Sequence, residues 1–130
     1  MKNVSAALII KGQTILLTRR ASGQKLAGFW EFPGGKQEEG ETIEECLERE
    51  LSEELKVASK ATSNFYESVY EYPGGKIKLI GILTEIESDN FTLSVHDCAE
   101  WANFSDLLNF NLAPADIPIA KKIIEKYGNV

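Results

Sequence analysis

Glutamate fills nine of the seventeen positions from Glu38 to Glu54. On a wheel of about 100° per residue, Ile43, Cys46, Leu47, Leu51 and Leu55 form one apolar stripe, with Glu45, Glu48, Arg49 and Ser52 off it. Glu50 and Glu54 fall within the angular range of the stripe, and Glu53 lies at its border. The i, i+3, i+4 spacing of these three makes their carboxylates converge. Like charges so spaced repel, and an ionised carboxylate is costly to desolvate. Three of them on an inward-facing edge imply a compensating cation. Hard carboxylate oxygens suit Mg²⁺, with Mn²⁺ as a substitute, and such ions commonly bridge protein carboxylates to phosphates. A solvated acidic helix is the competing reading of the same stretch.

The elements that must position these carboxylates can be read on either side. Thr42 to roughly Lys56 reads as the main helix, with Thr42 as N-cap and Glu45 completing a capping box. Val4 to Ile10 and Thr14 to Thr18 read as strands of a hairpin turned by Lys11-Gly12-Gln13. Phe29 to Phe32 is extended, because Phe32 precedes a proline, and Pro33-Gly34-Gly35 is a sharp turn. Lys60 to Tyr72 and Lys76 to Glu87 form a strand pair around Pro73-Gly74-Gly75. Phe91 to Val95 is expected as a short strand and Asp106 to Phe110 as a helical turn. Ile117 to Tyr127 is a closing helix stopped by Gly128. There is no repeat, linker or low-complexity segment.

The 130 residues fit a single domain, 1–130, with a core of its own. No apolar run approaches the roughly 20 residues of a membrane span, and Met1 to Ile10 is too short and too weakly basic for a signal peptide. A cytoplasmic protein is expected. Cys46 and Cys98 form no C-x-x-C pair, and with one histidine in the chain a zinc site is disfavoured. A net charge of −6 argues against a polymeric nucleic-acid partner, yet admits a small anionic ligand whose charge a metal screens.

Gly35 to Val57 resembles the Nudix box, G-x5-E-x7-R-E-U-x-E-E-x-G-U, where U is a bulky aliphatic. Gly35, Glu41, Arg49-Glu50-Leu51, Glu53-Glu54, Leu55 and Val57 match; Lys56 stands where the family has glycine. A lysine in the left-handed conformation that glycine would supply costs roughly 1–2 kcal/mol, so a different helix end is expected. Thr18-Arg19-Arg20 and Phe29 to Lys36 are similar to the MutT branch. Leu112 to Pro118 is similar to the C-terminal segment of MutT-like enzymes, closest to the CTP pyrophosphohydrolase type. The resemblance implies the Nudix fold, an α/β (α+β) architecture with a mixed β-sheet sandwiched between helices. It implies a hydrolase that converts a nucleoside triphosphate, an oxidised dGTP or a CTP-type nucleotide, to monophosphate and pyrophosphate. ADP-ribose or dinucleoside polyphosphate hydrolysis is the alternative within enzymes, and a non-catalytic nucleotide-sensing domain the alternative outside them.

The resemblance also implies roles. Glu50, Glu53 and Glu54, helped by the Gly34 carbonyl, would hold Mg²⁺; Glu53 or Glu54 would accept a proton from the attacking water; Arg49 would orient a catalytic glutamate. Glu41 would fix the loop. Arg20 and Lys36 are candidates for the phosphates, Phe32 for the base or the core, and Asp116 for the base edge or for the dipole of the following helix. Val95 occupies the place of another metal-binding glutamate before Trp101; either Asp97 or Glu100 substitutes for it after a small loop shift, or the enzyme uses fewer metals or is slower. His96 is read as a hydrogen-bonding residue. The partner is a small nucleotide, with no nucleic-acid polymer and no membrane, and the protein a monomer or homodimer.

Overall fold

Every position from Ala6 to Ile9 and from Ile15 to Leu17 is buried, because these strands are covered on both faces. Alternate residues then serve different cores. Ala6, Leu8, Ile15 and Leu17 pack with Ile119, Ala120 and Ile123. Ala7, Ile9 and Leu16 pack with Leu47, Leu51 and Leu55. One helix lies over each core.

The computed structural model describes residues 1–128. In chain order its elements are β1 (Lys2–Leu8), β2 (Ile10–Lys11), β3 (Thr14–Arg20), β4 (Trp30–Glu31), α1 (Ile43–Leu55), β5 (Ser59–Tyr72), β6 (Gly75–Ile86), β7 (His96–Asn103) and α2 (Ile117–Tyr127). Two 3₁₀ turns, Phe104–Asn109 and Pro114–Asp116, lie between β7 and α2. A mixed three-stranded sheet runs β1-β6-β5, with β1 parallel to β6 and β5 antiparallel to it. In a second, antiparallel sheet β3 pairs with β7 along its length and with β2 and β4 near its two ends. This is the expected mixed sheet between helices.

Three local expectations change. The hairpin at Gly12 is confined to β2 and the start of β3: Ile10 pairs with Ile15 and Lys11 with Thr14, whereas β1 turns to β6. The chain passes from one sheet to the other at Ile9, so one apolar run serves two sheets. Phe91 to Val95 is not a strand; Phe91 and Leu93 pack against the α1-side core from irregular backbone. Lys56 does adopt the left-handed conformation, φ 58° and ψ 41°, so helix α1 ends as glycine would end it. Burial of Leu55 and Val57 on either side of it fixes that turn against the side chain's own preference.

Candidate active site

The capping box of α1 is formed in full: the Thr42 hydroxyl accepts from Glu45 N–H, and the Glu45 carboxylate accepts from Thr42 N–H. This fixes the start of the helix, and Cys46, Leu47, Leu51 and Leu55 fix its buried face. The rotation thus imposed leaves Glu50 and Glu54 partly buried and Glu53 exposed, as the wheel indicates.

Pro33-Gly34-Gly35 is stitched to β1. Ala7 N–H donates to the Pro33 carbonyl at 2.6 Å and Ser5 N–H to the Gly35 carbonyl at 2.8 Å. Ser5 Oγ exchanges further hydrogen bonds with Gly35. The approach is too close for a side chain. A Cβ on Gly34 would collide with the Ser5 carbonyl oxygen, and one on Gly35 with the Glu50 carboxyl group. Glycine at 35 is what gives Glu50 its place.

Arg49 organises the acidic surface. Its guanidinium donates to both oxygens of Glu41, to Glu50 Oε1 at 3.0 Å, to both oxygens of Glu53, and to the Lys36 carbonyl. Glu54 is outside this group, and its Oε1 is buried with no hydrogen-bond partner. Burial first, then the charges of Glu31 and Glu50, push the Glu54 carboxyl up to about 8. Burial also raises Glu50, against the pull of Arg49. The expected convergence is therefore partial. Glu50 and Glu54 face one cleft, Glu53 is drawn onto Arg49, and no three metal-ligating side chains are gathered at one point among the described residues. A buried carboxylate oxygen without a partner, beside two other carboxylates, is nevertheless what a divalent cation would satisfy. The donor set fits such an ion.

The cleft has a volume of about 1170 Å³, ample for a small-molecule ligand. Its lining includes Gly34, Gly35, Glu50 and Glu54, and also Lys2, Lys25 and Lys36. The charges of Lys2 and Lys25 lower the pKa of Lys36, so the three ammonium groups share one region. Arg20 also lines the cleft, its Nη1 3.3 Å from Glu31 Oε2 and its Nε donating to the Lys25 carbonyl. Asp116, which also lines the cleft, is 5% exposed and its Oδ2 accepts from Phe32 N–H at 2.9 Å. Burial, then the charge of Glu31, raises the Asp116 carboxyl well above the usual range, with the Phe32 bond opposing.

Phe32 is 2% exposed, within the core. Asp97 does not reach the cleft, being tied to Arg19 at 2.7 Å. Glu100 is exposed, opposite Leu17 in the β3–β7 ladder. Neither stands near Glu54. The carboxylate that does is Glu31, which sequence reasoning passed over; the signal was a lone acid inside the aromatic run Phe29 to Phe32. Its Oε2 is held by the buried His96 Nε2 at 2.8 Å as well as by Arg20. Lys2, Lys25 and Tyr72 were missed too, since each comes to the cleft from a separate element.

A family model for the NUDIX domain matches residues 1–126. The chain is 35% identical over 121 residues to the CTP pyrophosphohydrolase of Escherichia coli (strain K12), covering 92% of this chain and 88% of that protein. It is 34% identical over 126 residues to the 8-oxo-dGTP diphosphatase of the same organism, covering 95% and 98%. Among solved structures, the solution structure of the E. coli ORF135 protein superposes with a TM-score of 0.85 at 32% identity, covering 96% of this chain and 89% of that one. The MutT protein of Methanosarcina mazei Go1, at 22% identity, shares the fold with a TM-score of 0.87, covering 96% and 94%.

Proposed function

The chain belongs to the Nudix family of hydrolases acting on phosphoric anhydride bonds, and on that premise we propose that it is a nucleoside triphosphate pyrophosphohydrolase of the MutT type, releasing pyrophosphate and a nucleoside monophosphate. The observation that carries this reading is one cleft that brings three kinds of chemistry together. The carboxyls of Glu50 and Glu54, the ammonium groups of Lys2, Lys25 and Lys36, and the buried carboxyl of Asp116 all line it. A triphosphate chain suits the first two, and the edge of a base suits the third.

We assign Glu50, Glu53 and Glu54, with the Gly34 carbonyl, to holding divalent cations, with Mg²⁺ the expected ion and Mn²⁺ its substitute. A cation there would neutralise phosphate charge and make a water easier to deprotonate. Glu53 or Glu54 is assigned the proton of that water. Arg49 positions Glu50 and Glu53 from a guanidinium that Glu41 holds in place. Arg20 and Lys36 bind phosphate oxygens, and Asp116 reads the base. Expected nucleotides are oxidised dGTP or CTP-type triphosphates, the substrates for which the two E. coli relatives are named.

The test is a panel of 8-oxo-dGTP, dGTP, CTP, 5-methyl-dCTP, ADP-ribose and diadenosine tetraphosphate with Mg²⁺, scored for pyrophosphate and monophosphate. Pyrophosphate from one preferred triphosphate, abolished by chelator, is the expected result. Cleavage confined to ADP-ribose or the dinucleotide would overturn the triphosphate assignment.

A further inference from the structure

Beside Asp116, the cleft holds a second polar group set among apolar residues. Tyr72, the last residue of β5, lines it together with Ile77, Leu79 and Ala115. Its ring is half-buried against the α2-side core. Its hydroxyl oxygen accepts from the Ala115 N–H at 3.0 Å, one residue before Asp116. A phenol has one proton to give as well as lone pairs to receive. Among the described residues, nothing receives the proton of Tyr72.

The surroundings define what that proton meets. Burial first raises the pKa of the phenol, the Ala115 bond opposes it, and the neighbouring ionisable groups Asp116, Tyr70 and Glu31 raise it further. The phenol therefore stays neutral and remains a donor. Asp116 gives one oxygen to Phe32 N–H and has the other left over. An apolar lining with a few placed polar groups suits a planar ring read along its edge.

We infer that Tyr72 is a specificity-determining residue that donates its hydroxyl hydrogen to a carbonyl or ring-nitrogen acceptor of the nucleobase, alongside Asp116. Its Ala115 bond anchors the hydroxyl to the backbone that carries Asp116, so the two readers move as one. The inference rests on the nucleotide reading above and names the second group that reads the base.

The test is binding rather than turnover. Affinities of the four deoxynucleoside monophosphates, 8-oxo-dGMP and base-free deoxyribose 5-phosphate are measured for the wild type and Tyr72→Phe. The expected result is a loss on the order of tenfold for the best-bound monophosphate, less than about twofold for the sugar phosphate, and a compressed ranking of bases. An equal loss for every ligand, or no loss for any, overturns the inference. Tyr72→Phe also removes the acceptor of Ala115 N–H, so a second measurement uses the wild type alone. The ¹³Cζ resonance of Tyr72 is expected to shift with the best monophosphate and not with deoxyribose 5-phosphate; identical responses to the two overturn the assignment. Failure of the triphosphate reading is seen separately, as absence of pyrophosphate release from any triphosphate by the wild type.

Discussion

Arg49 grips Glu41 through two hydrogen bonds, Nε to Oε2 at 3.1 Å and Nη2 to Oε1 at 2.9 Å, while its Nη1 serves Glu50 and Glu53. The Glu41 carboxyl is thereby held down to about 2. A carboxyl depressed below its unfolded value of about 4.3 stabilises the fold above that pH, and the contribution is lost as pH falls toward 2. Glu41→Gln lacks this contribution. Its melting temperature should therefore lie below that of the wild type above about pH 5, with the gap closing between roughly pH 4 and pH 2. A gap independent of pH in thermal melts would contradict the pairing.

Gly34 and Gly35 adjoin in sequence, yet replacing each with alanine should damage a different property. The Cβ at 34 meets backbone, the Ser5 carbonyl, which β1 cannot move without breaking its ladder with β6. Gly34→Ala should lower stability by about 2 kcal/mol or more. The Cβ at 35 meets the end of the Glu50 side chain, which can swing away. Gly35→Ala should fold, and lose about 10²-fold in kcat through a misplaced carboxylate. Urea melts and steady-state kinetics on the pair separate the two effects.

Glu53 is exposed, and its partner in the protein is Arg49. Glu53→Gln should leave the melting temperature close to that of the wild type and reduce turnover by about 10³-fold or more. Near-normal turnover would remove Glu53 from the catalytic set.

Much of this was legible in the residues because local rules and tertiary packing agree. The Thr42–Glu45 capping box and the leucine stripe set the phase of α1, and phase alone separates Glu50 and Glu54 from Glu48 and Ser52. The Pro33-Gly34-Gly35 turn could likewise be read directly. What could not be read is set by partners far along the chain. β1 prefers β6, where Lys2 pairs with Ile77 and Leu8 with Leu83, over its neighbour β3, and both choices satisfy the same apolar run. Arg49 captures Glu53, a contest among charges that helical spacing does not decide. Glu31, Tyr72 and the lysines of the cleft meet only when three strands and two loops are assembled.

Lys56 ends α1 in the left-handed region at φ 58°, a conformation that disfavours any side chain with a Cβ. Lys56→Gly removes that cost and adds some unfolded-state entropy. A net stabilisation of about 1 kcal/mol should follow, visible in urea melts, with kinetics unchanged because Lys56 is exposed and outside the cleft. Destabilisation would mean that the lysine side chain has a role of its own.

Asp116 should act on stability and on specificity with different pH dependences. Burial raises its folded pKa above an unfolded value of about 3.9. An acid so raised favours the folded state only while protonated. Its contribution is complete below about pH 4 and is lost as pH climbs toward the folded pKa. An asparagine in its place would carry no charge and could still accept from Phe32 N–H through its amide oxygen. Asp116→Asn should therefore match the wild type near pH 4 and exceed it in stability increasingly as pH rises above that. The same substitution should reorder the nucleobases in the substrate panel, since an amide cannot ionise and presents donors where a carboxylate accepts. A stability gain without reordering would leave Asp116 a buried support for Phe32 and pass the reading of the base to its neighbours.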